Sequence, residues 1–485
     1  MRIESHNPPL HMEAPTSFDG LRVLVMGLGR FGGGVGVTQW LAAQGAFVTV
    51  SDKADPESLS KSIDALADLD VTLHLGGHDF DDLNGVDWVI VNPAVHKTRS
   101  TFFQEVVRRK VPWTTETNLF CRNCRGRIIG VTGSYGKSTT CAMLADALRA
   151  GLRAGDVHYT GVHLGGNIGR SLLNDLPGIR SEDLVVLELS NAQLEDLPRI
   201  GWAPPIAVIT NLWPHHRNRY DGFAAYVDAK LNIVRSLSGD NIVIAGDLDP
   251  EADGMLRVVL GDRFVELLRV EAPSRPVQLK VPGAHNQANA ACVLAVCRHL
   301  GLDREVVREA LRSFGGLPHR LEYVRTIEEV DYYNDSKSTS PDATIAALKS
   351  FDRPVVAILG GKQQSEVPWT ALTEVLADSC RAVICTGQSS DWLAKMIRKQ
   401  VGDSDEPLHR VSIHETATPA DAVLIARSCS RPGDVVLFSP GAPSFDAFAN
   451  YADRGDHFVK LIHALTGSSA AVAPSEPKPG QPTRR

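Results

Sequence analysis

Apolar residues along this chain gather in short runs that end on glycine, and the stretches between those runs carry apolar residues at helical spacing. LRVLVMG at 21–27 is an unbroken apolar run bounded by a turn, the pattern of a strand covered on both faces of a parallel sheet. A glycine-rich turn and an apolar stretch of helix length follow it, and FVTVSD then ends at Asp52, which completes a βαβ unit. The same order recurs at RIIG, 127–130, whose strand runs into a second glycine-rich turn and the helix-forming KSTTCAMLADALRAG. It recurs again after LPHRLEYV, where VVAILGG, AVICTG and VVLFSPG each close on a turn at the carboxyl end of a strand. Three α/β segments are therefore expected, 21–124, 125–318 and 319–466, after an extension at 1–20. The Pro-rich SSAAVAPSEPKPGQPTRR has no apolar period, so a disordered tail is expected at 467–485.

Length supports this division. Single cores stop growing at roughly 250 to 300 residues, and this chain has 485. A composition of 43% apolar and 22% charged residues is that of a folded enzyme. The net charge of −7 offers no basic stripe for a nucleic-acid backbone. No apolar run is long enough for a membrane span or signal peptide, so a cytoplasmic, non-inserted protein is expected. Cys121 and Cys124 form a CxxC without a second pair to complete a zinc site, and they read as ordinary thiols.

The candidate chemistry begins at the second glycine turn, Gly130-Val131-Thr132-Gly133-Ser134-Tyr135-Gly136-Lys137-Ser138-Thr139. Glycines let backbone N–H groups converge on phosphate, the lysine adds a point charge, and a hydroxyl can reach Mg²⁺. The strict P-loop places Gly six positions before the Lys, where this chain has Val131. The first turn, Gly27-Leu28-Gly29-Arg30-Phe31-Gly32 with Asp52 downstream, is by itself a dinucleotide fingerprint. An NAD-dependent oxidoreductase would leave the second turn unexplained.

The form GxTGxxGK[ST] resembles the phosphate loop of the Mur ligase and folylpolyglutamate synthase superfamily, and further motifs follow in order. They are Asn167 in GGNIG, Glu188 and Gln193 in VVLELSNAQLE, His216 in NLWPHHRNRY, Lys230 in AYVDAKLNI, and Asn286 and Asn289 in GAHNQANAA. His319 and Arg320 in LPHR, Asp335, Lys337 and Thr339 in YNDSKSTSPDAT, and SPGAPSFDAFANYADRGDHF complete the series. The last two segments resemble the MurD branch of the Mur ligases.

The resemblance implies three domains: a Rossmann-like UDP-sugar domain, a central P-loop ATPase domain with a mostly parallel sheet, and a Rossmann-like amino-acid domain, with the active site where they meet. It implies an ATP-dependent ligase that activates a carboxylate as an acyl phosphate and adds glutamate, D-glutamate first, to UDP-N-acetylmuramoyl-L-alanine. Gly133, Ser134, Gly136, Lys137, Ser138 and Thr139 would cradle ATP, with Asn286, Asn289 and Asp335 at adenine and ribose and Arg320 and Lys337 on phosphate. Ser138 and Glu188 would hold one Mg²⁺, and His216 with a carbamylated Lys230 a second. Gly29, Arg30, Phe31, Asp52, Asn92, Asn167 and Gln193 would hold the UDP-sugar. Thr339, Lys362, Gln364, Ser444, Phe445 and Tyr451 would hold the amino acid. A monomer acting on small molecules is expected.

Two departures bear on specificity. His215 and Asn218 replace acids beside the metal histidine, and Gln364 stands where the family's amino-acid-binding lysine is expected, with Lys362 two positions earlier. L-glutamate, another amino acid, or a non-catalytic UDP-sugar-binding role are the alternatives.

Overall fold

The computed structural model describes residues 14–29, 32–155, 157–168, 171–214, 220–271, 276–362, 369–402 and 411–465. The described residues fall into two compact units, one running to Leu279 and including Ala284–Phe314, the other formed by Lys280–Gly283 and the chain from Gly315. The first unit holds two sheets and the second holds one.

The first sheet consists of β1 (Arg22–Met26), β2 (Phe47–Asp52), β3 (Val71–Leu75), β4 (Trp88–Val91) and β5 (Trp113–Thr114), in the all-parallel order β3-β2-β1-β4-β5. This is the Rossmann-like order expected from the first βαβ unit. Successive strand residues face opposite sides: Val23, Val25, Val48 and Val50 enter one apolar cluster, Leu24, Met26, Val89 and Val91 another. Cover on both faces explains the unbroken apolar run, and each fully buried Leu or Met contributes about 1.5–3 kcal/mol.

The second sheet is also parallel throughout. It contains β6 (Arg127–Thr132), β7 (Val162–Gly166), β8 (Leu184–Glu188), β9 (Ile206–Leu212), β10 (Ile242–Leu248) and β11 (Glu266–Arg269) in the order β11-β10-β9-β6-β8-β7. One cluster runs from Val25 and Leu119 of the first sheet's segment to Leu187 and Ile209 of the second's, so residues 21–124 and 125–279 pack as one unit. Across that junction Asn118 Nδ2 donates to the Asp196 carbonyl (2.9 Å), and Ser171 Oγ donates to the partly buried Glu116 (2.6 Å).

The third sheet contains β12 (Glu322–Ile327), β13 (Val330–Asn334), β14 (Val355–Gly360), β15 (Cys380–Thr386), β16 (Ser412–Glu415) and β17 (Val435–Gly441), ordered β12-β13-β17-β14-β15-β16. Only the β12–β13 pair is antiparallel. Its two-residue turn places Glu328 and Glu329 at φ 51° and 60°, without the Asn-Gly that such turns favour. Tertiary bonds hold it there: Arg427 donates to the Glu328 carboxylate (3.1 Å) and the Gly433 amide to the Glu329 carbonyl (2.8 Å). The segment Lys280–Gly283, expected with the central domain, belongs to this unit, and the Tyr333 hydroxyl donates to the Lys280 carbonyl at 2.7 Å. No helix among the described residues is long and apolar enough to cross a membrane.

Candidate active site

The phosphate loop leaves β6 and enters the helix Lys137–Ala154. Gly136 caps that helix at φ 76° without a side-chain hydrogen bond, so the first-turn amides are not taken by a cap and can face an anion. A Cβ on Gly136 would stand 2.2 Å from Asn289 Oδ1, and one on Gly133 would stand 2.0 Å from Thr210 Oγ1. Glycine is therefore needed at both places for close approach. Asn289 and Asn286, both buried on the helix Ala284–His299, bond to each other at 3.2 Å, which puts this expected adenine pair against the loop.

The loop is braced by the end of β9. Asn211 accepts from the Tyr135 amide through Oδ1 (2.9 Å) and donates to the Tyr135 carbonyl through Nδ2 (3.0 Å), while Thr210 Oγ1 donates to the same carbonyl at 2.7 Å. The Ser134 amide donates to the Asn211 carbonyl (2.9 Å), and Ser134 Oγ bonds to both backbone groups of Trp213. Ser134, expected to contact phosphate, thus has its amide and hydroxyl in internal bonds. Asn211, Thr210 and Trp213 went unread in the sequence, although TNLW at 210–213 adjoins the histidine that drew attention. Lys137 Nζ donates to the carbonyls of Gly133 (2.9 Å) and Ser134 (3.2 Å), so the cation lies along the loop; Ser138 and Thr139 follow it, partly buried, in the first helical turn.

Glu188 ends β8 and is 1% exposed. Asn167 Nδ2 donates to its Oε1 at 2.8 Å, while Oε2 is buried with no hydrogen-bond partner among the described residues. A buried carboxylate oxygen without a donor is costly and suits a hard cation, which prefers such oxygen ligands. The partnerless Glu188 oxygen fits Mg²⁺. Among the described residues there is no cluster of three His, Cys, Asp or Glu. Asn167, expected at the UDP-sugar, is thus tied to the Glu188 carboxylate.

Lys230 lies on the helix Phe223–Arg235 at 1% exposure, with Nζ donating to Thr132 Oγ1 at 3.4 Å. Burial first, and the nearby Lys137 second, push its pKa well below the ordinary ammonium range, against the opposing pull of Glu188. His216, with His215 and Asn218, lies outside the described residues.

At the first glycine turn Asp52 Oδ2 accepts from the Gly29 amide (3.0 Å) and Oδ1 from the Ala54 amide (2.8 Å). Asn92 Nδ2 donates to the Gly27 carbonyl (3.2 Å) and Oδ1 accepts from Ala94 (2.9 Å). Gly29, Asp52 and Asn92 thus meet where β1, β2 and β4 end; Arg30 and Phe31 lie outside the described residues. Gln193 is buried, and its Oε1 accepts from the Ser190 amide and hydroxyl in the capping box of Asn191–Leu194.

In the second unit, His319 and Leu321 have φ of 63° and 42°, a tight turn that leaves Arg320 exposed between two buried neighbours. Asp335 accepts from the Leu321 amide (3.1 Å), Ser338 Oγ (2.6 Å) and Ser439 Oγ (2.8 Å). Burial raises its pKa to about 6, and those bonds with Arg320 limit the rise. The Lys337 amide donates to the His319 carbonyl (2.9 Å), and its ammonium lies 5.7 Å from the Tyr451 ring centroid. The Lys362 amide donates to the Pro443 carbonyl (2.8 Å), which sets that exposed lysine beside buried Ser444 and exposed Phe445. Thr339 is partly buried beyond Lys337, and Gln364 lies outside the described residues.

Three family profiles match the chain in order: "Mur ligase MurD-like, N-terminal domain" at 21–113, "Mur ligase middle domain" at 131–259, and "Mur ligase, glutamate ligase domain" at 319–441. A UDP-N-acetylmuramoylalanine–D-glutamate ligase from Roseiflexus sp. strain RS-1 is 35% identical over 92% of this chain and 99% of its own length. A protein of the same name from Symbiobacterium thermophilum is 34% identical over 92% and 98%. Among solved structures, UDP-N-acetylmuramate-alanine ligase MurC from Thermotoga maritima superposes with a TM-score of 0.53, covering 92% of this chain and 99% of that one at 21% identity, which speaks for the fold alone. With each profile falling on its own sheet and this identity spanning nearly the whole of both chains, the protein belongs to the Mur ligase family.

Proposed function

We propose that this protein joins D-glutamate to UDP-N-acetylmuramoyl-L-alanine at the expense of ATP. The observation that carries the reading is the partnerless Glu188 Oε2 beside a glycine-built phosphate cradle and a buried lysine. A carboxylate becomes an acyl donor when its oxygen takes the γ-phosphoryl group of ATP; the amine of the incoming amino acid then attacks the carbonyl carbon and phosphate leaves. Such chemistry is governed by positioning and by cations set against phosphoryl oxygens. Lys137 and the loop amides hold the phosphates, and Glu188 with Ser138 holds Mg²⁺. When bound, Mg²⁺ neutralises phosphate charge.

The buried Lys230 amine, whose pKa burial lowers, is suited to add CO₂ from its unprotonated form, its nitrogen bonding the carbon and losing a proton, so that an anionic carbamate would stand with His216 at a second Mg²⁺. Gly29, Asp52 and Asn92, with Arg30, Phe31 and Gln193, receive the UDP-sugar. Asn286, Asn289 and Asp335 serve adenine and ribose, and Arg320 and Lys337 serve phosphate. Thr339, Lys362, Gln364, Ser444, Phe445 and Tyr451 receive the amino acid, and the protein works as a cytoplasmic monomer. The displacement of the lysine to Lys362 favours a second reading, the same ligation with L-glutamate or another amino acid.

The test is product mass after incubation with ATP, Mg²⁺ and UDP-N-acetylmuramoyl-L-alanine. A product one glutamyl residue heavier with D-glutamate alone supports the reading. The same product only with L-glutamate moves the specificity, and no product with any amino acid removes the ligase.

A further inference from the structure

Tyr226 lies one helical turn before Lys230 on the helix Phe223–Arg235, so the two side chains share a face. It is 1% exposed, and the rings of Tyr220 and Phe223 pack against it at centroid distances of 5.7 and 6.3 Å. Its hydroxyl donates to Ser134 Oγ at 2.9 Å, and Lys230 Nζ stands 5.1 Å from its ring centroid. One buried ring therefore touches both the phosphate loop and the lysine of the reacting centre.

Ser134 makes the contact consequential. A hydroxyl has one proton and two lone pairs. Ser134 Oγ donates to the Trp213 carbonyl (2.9 Å) and accepts from the Trp213 amide (3.0 Å) and from Tyr226, so all three positions are taken. The loop at Ser134 is pinned to the end of β9 and to this one side chain. We propose that Tyr226 is a positioning residue that couples the phosphate loop to Lys230, so that the seating of nucleotide phosphates and the placement of the lysine amine share one ring. The coupling to Lys230 rests on the ligase reading; the bond to the loop does not.

The experiment titrates the full chain with Mg²⁺-ADP as wild type, Tyr226→Phe, Ser134→Ala and the double variant, with melting temperature followed in parallel. Tyr226→Phe keeps the ring and removes one hydrogen bond. Tyr226→Phe is expected to weaken Mg²⁺-ADP binding by about 3- to 10-fold, the loss of one buried bond, Ser134→Ala, which removes three, by more, and the double variant by no more than Ser134→Ala alone. Unchanged affinity in Tyr226→Phe, or losses that multiply in the double variant, overturns the loop half of the proposal. Tyr226→Leu removes the ring and is expected to lower kcat at saturating nucleotide at least about tenfold below Tyr226→Phe, about 1.4 kcal/mol; equal kcat overturns the lysine half. A wild type that binds nucleotide but turns over nothing removes the ligase reading and leaves the loop half standing.

Discussion

The two glycine turns of the first unit join the same kinds of element and are dressed in opposite ways. Each leaves a parallel strand and enters a helix through a left-handed glycine, Gly32 at φ 85° and Gly136 at φ 76°, and neither helix has a side-chain cap. At the first turn a carboxylate, Asp52, takes the Gly29 amide. At the second, neutral groups from Asn211, Thr210 and Tyr226 hold the loop while Lys137 lies along it. Glycine spacing sets the course of the backbone, and the side chains at the ends of neighbouring strands set the charge. An anionic turn suits hydroxyl donors of a ribose, whereas a cationic one suits a triphosphate.

The largest effect that separates the turns is expected from Lys137→Ala. It should lower kcat/KM on the order of 10³-fold, the scale of removing a group aimed at developing charge, while KM for the UDP-sugar moves less than about twofold. Steady-state kinetics with each substrate varied in turn checks both halves.

Next in size is Asp335, a strand-end carboxylate that serves no glycine turn. Its folded pKa of about 6 lies above the ordinary value of 3.8. Between those values the folded state binds a proton that the unfolded state does not, so stability is present below about pH 4 and is lost as pH rises to about 6. The shift is worth at most about 3 kcal/mol. Denaturant midpoints of wild type minus Asp335→Asn across that range should fall with pH, and a flat difference would contradict the assignment.

Glu188→Gln retains an oxygen to accept from Asn167 and removes the charge. It should cost about 100-fold in kcat and raise the Mg²⁺ concentration needed for half-maximal rate, because the uncharged amide offers a weaker ligand; an unaltered Mg²⁺ requirement would remove Glu188 from the metal site. The smallest change is expected from Asp52→Asn. Loss of one charge-assisted bond should raise KM for the UDP-sugar about tenfold, with KM for ATP unchanged. If KM for ATP moves instead, the contrast between the turns is wrong.

Features that rest on local spacing were legible in the sequence. The strand-turn-helix junctions placed Gly29, Gly133, Gly136 and Lys137, and the position of Asp52 at the end of β2 brought it to the first turn. What depends on partners far along the chain was hidden. Ser134 reads as a phosphate contact in a loop of this form, and only Trp213 and Tyr226, 79 and 92 residues away, show that its hydroxyl is engaged. The Glu328–Glu329 turn gave no signal because its conformation is held by Arg427 and Gly433 rather than by turn residues. Lys280–Gly283 joined the second unit through a backbone carbonyl, which no residue type announces.

The central claim is most directly tested by phosphate release from ATP, measured with UDP-N-acetylmuramoyl-L-alanine and D-glutamate each present or withheld. Release that requires both substrates, and that disappears in Lys137→Ala, is the expected result. Release that ignores either substrate, or none under any combination, would contradict it.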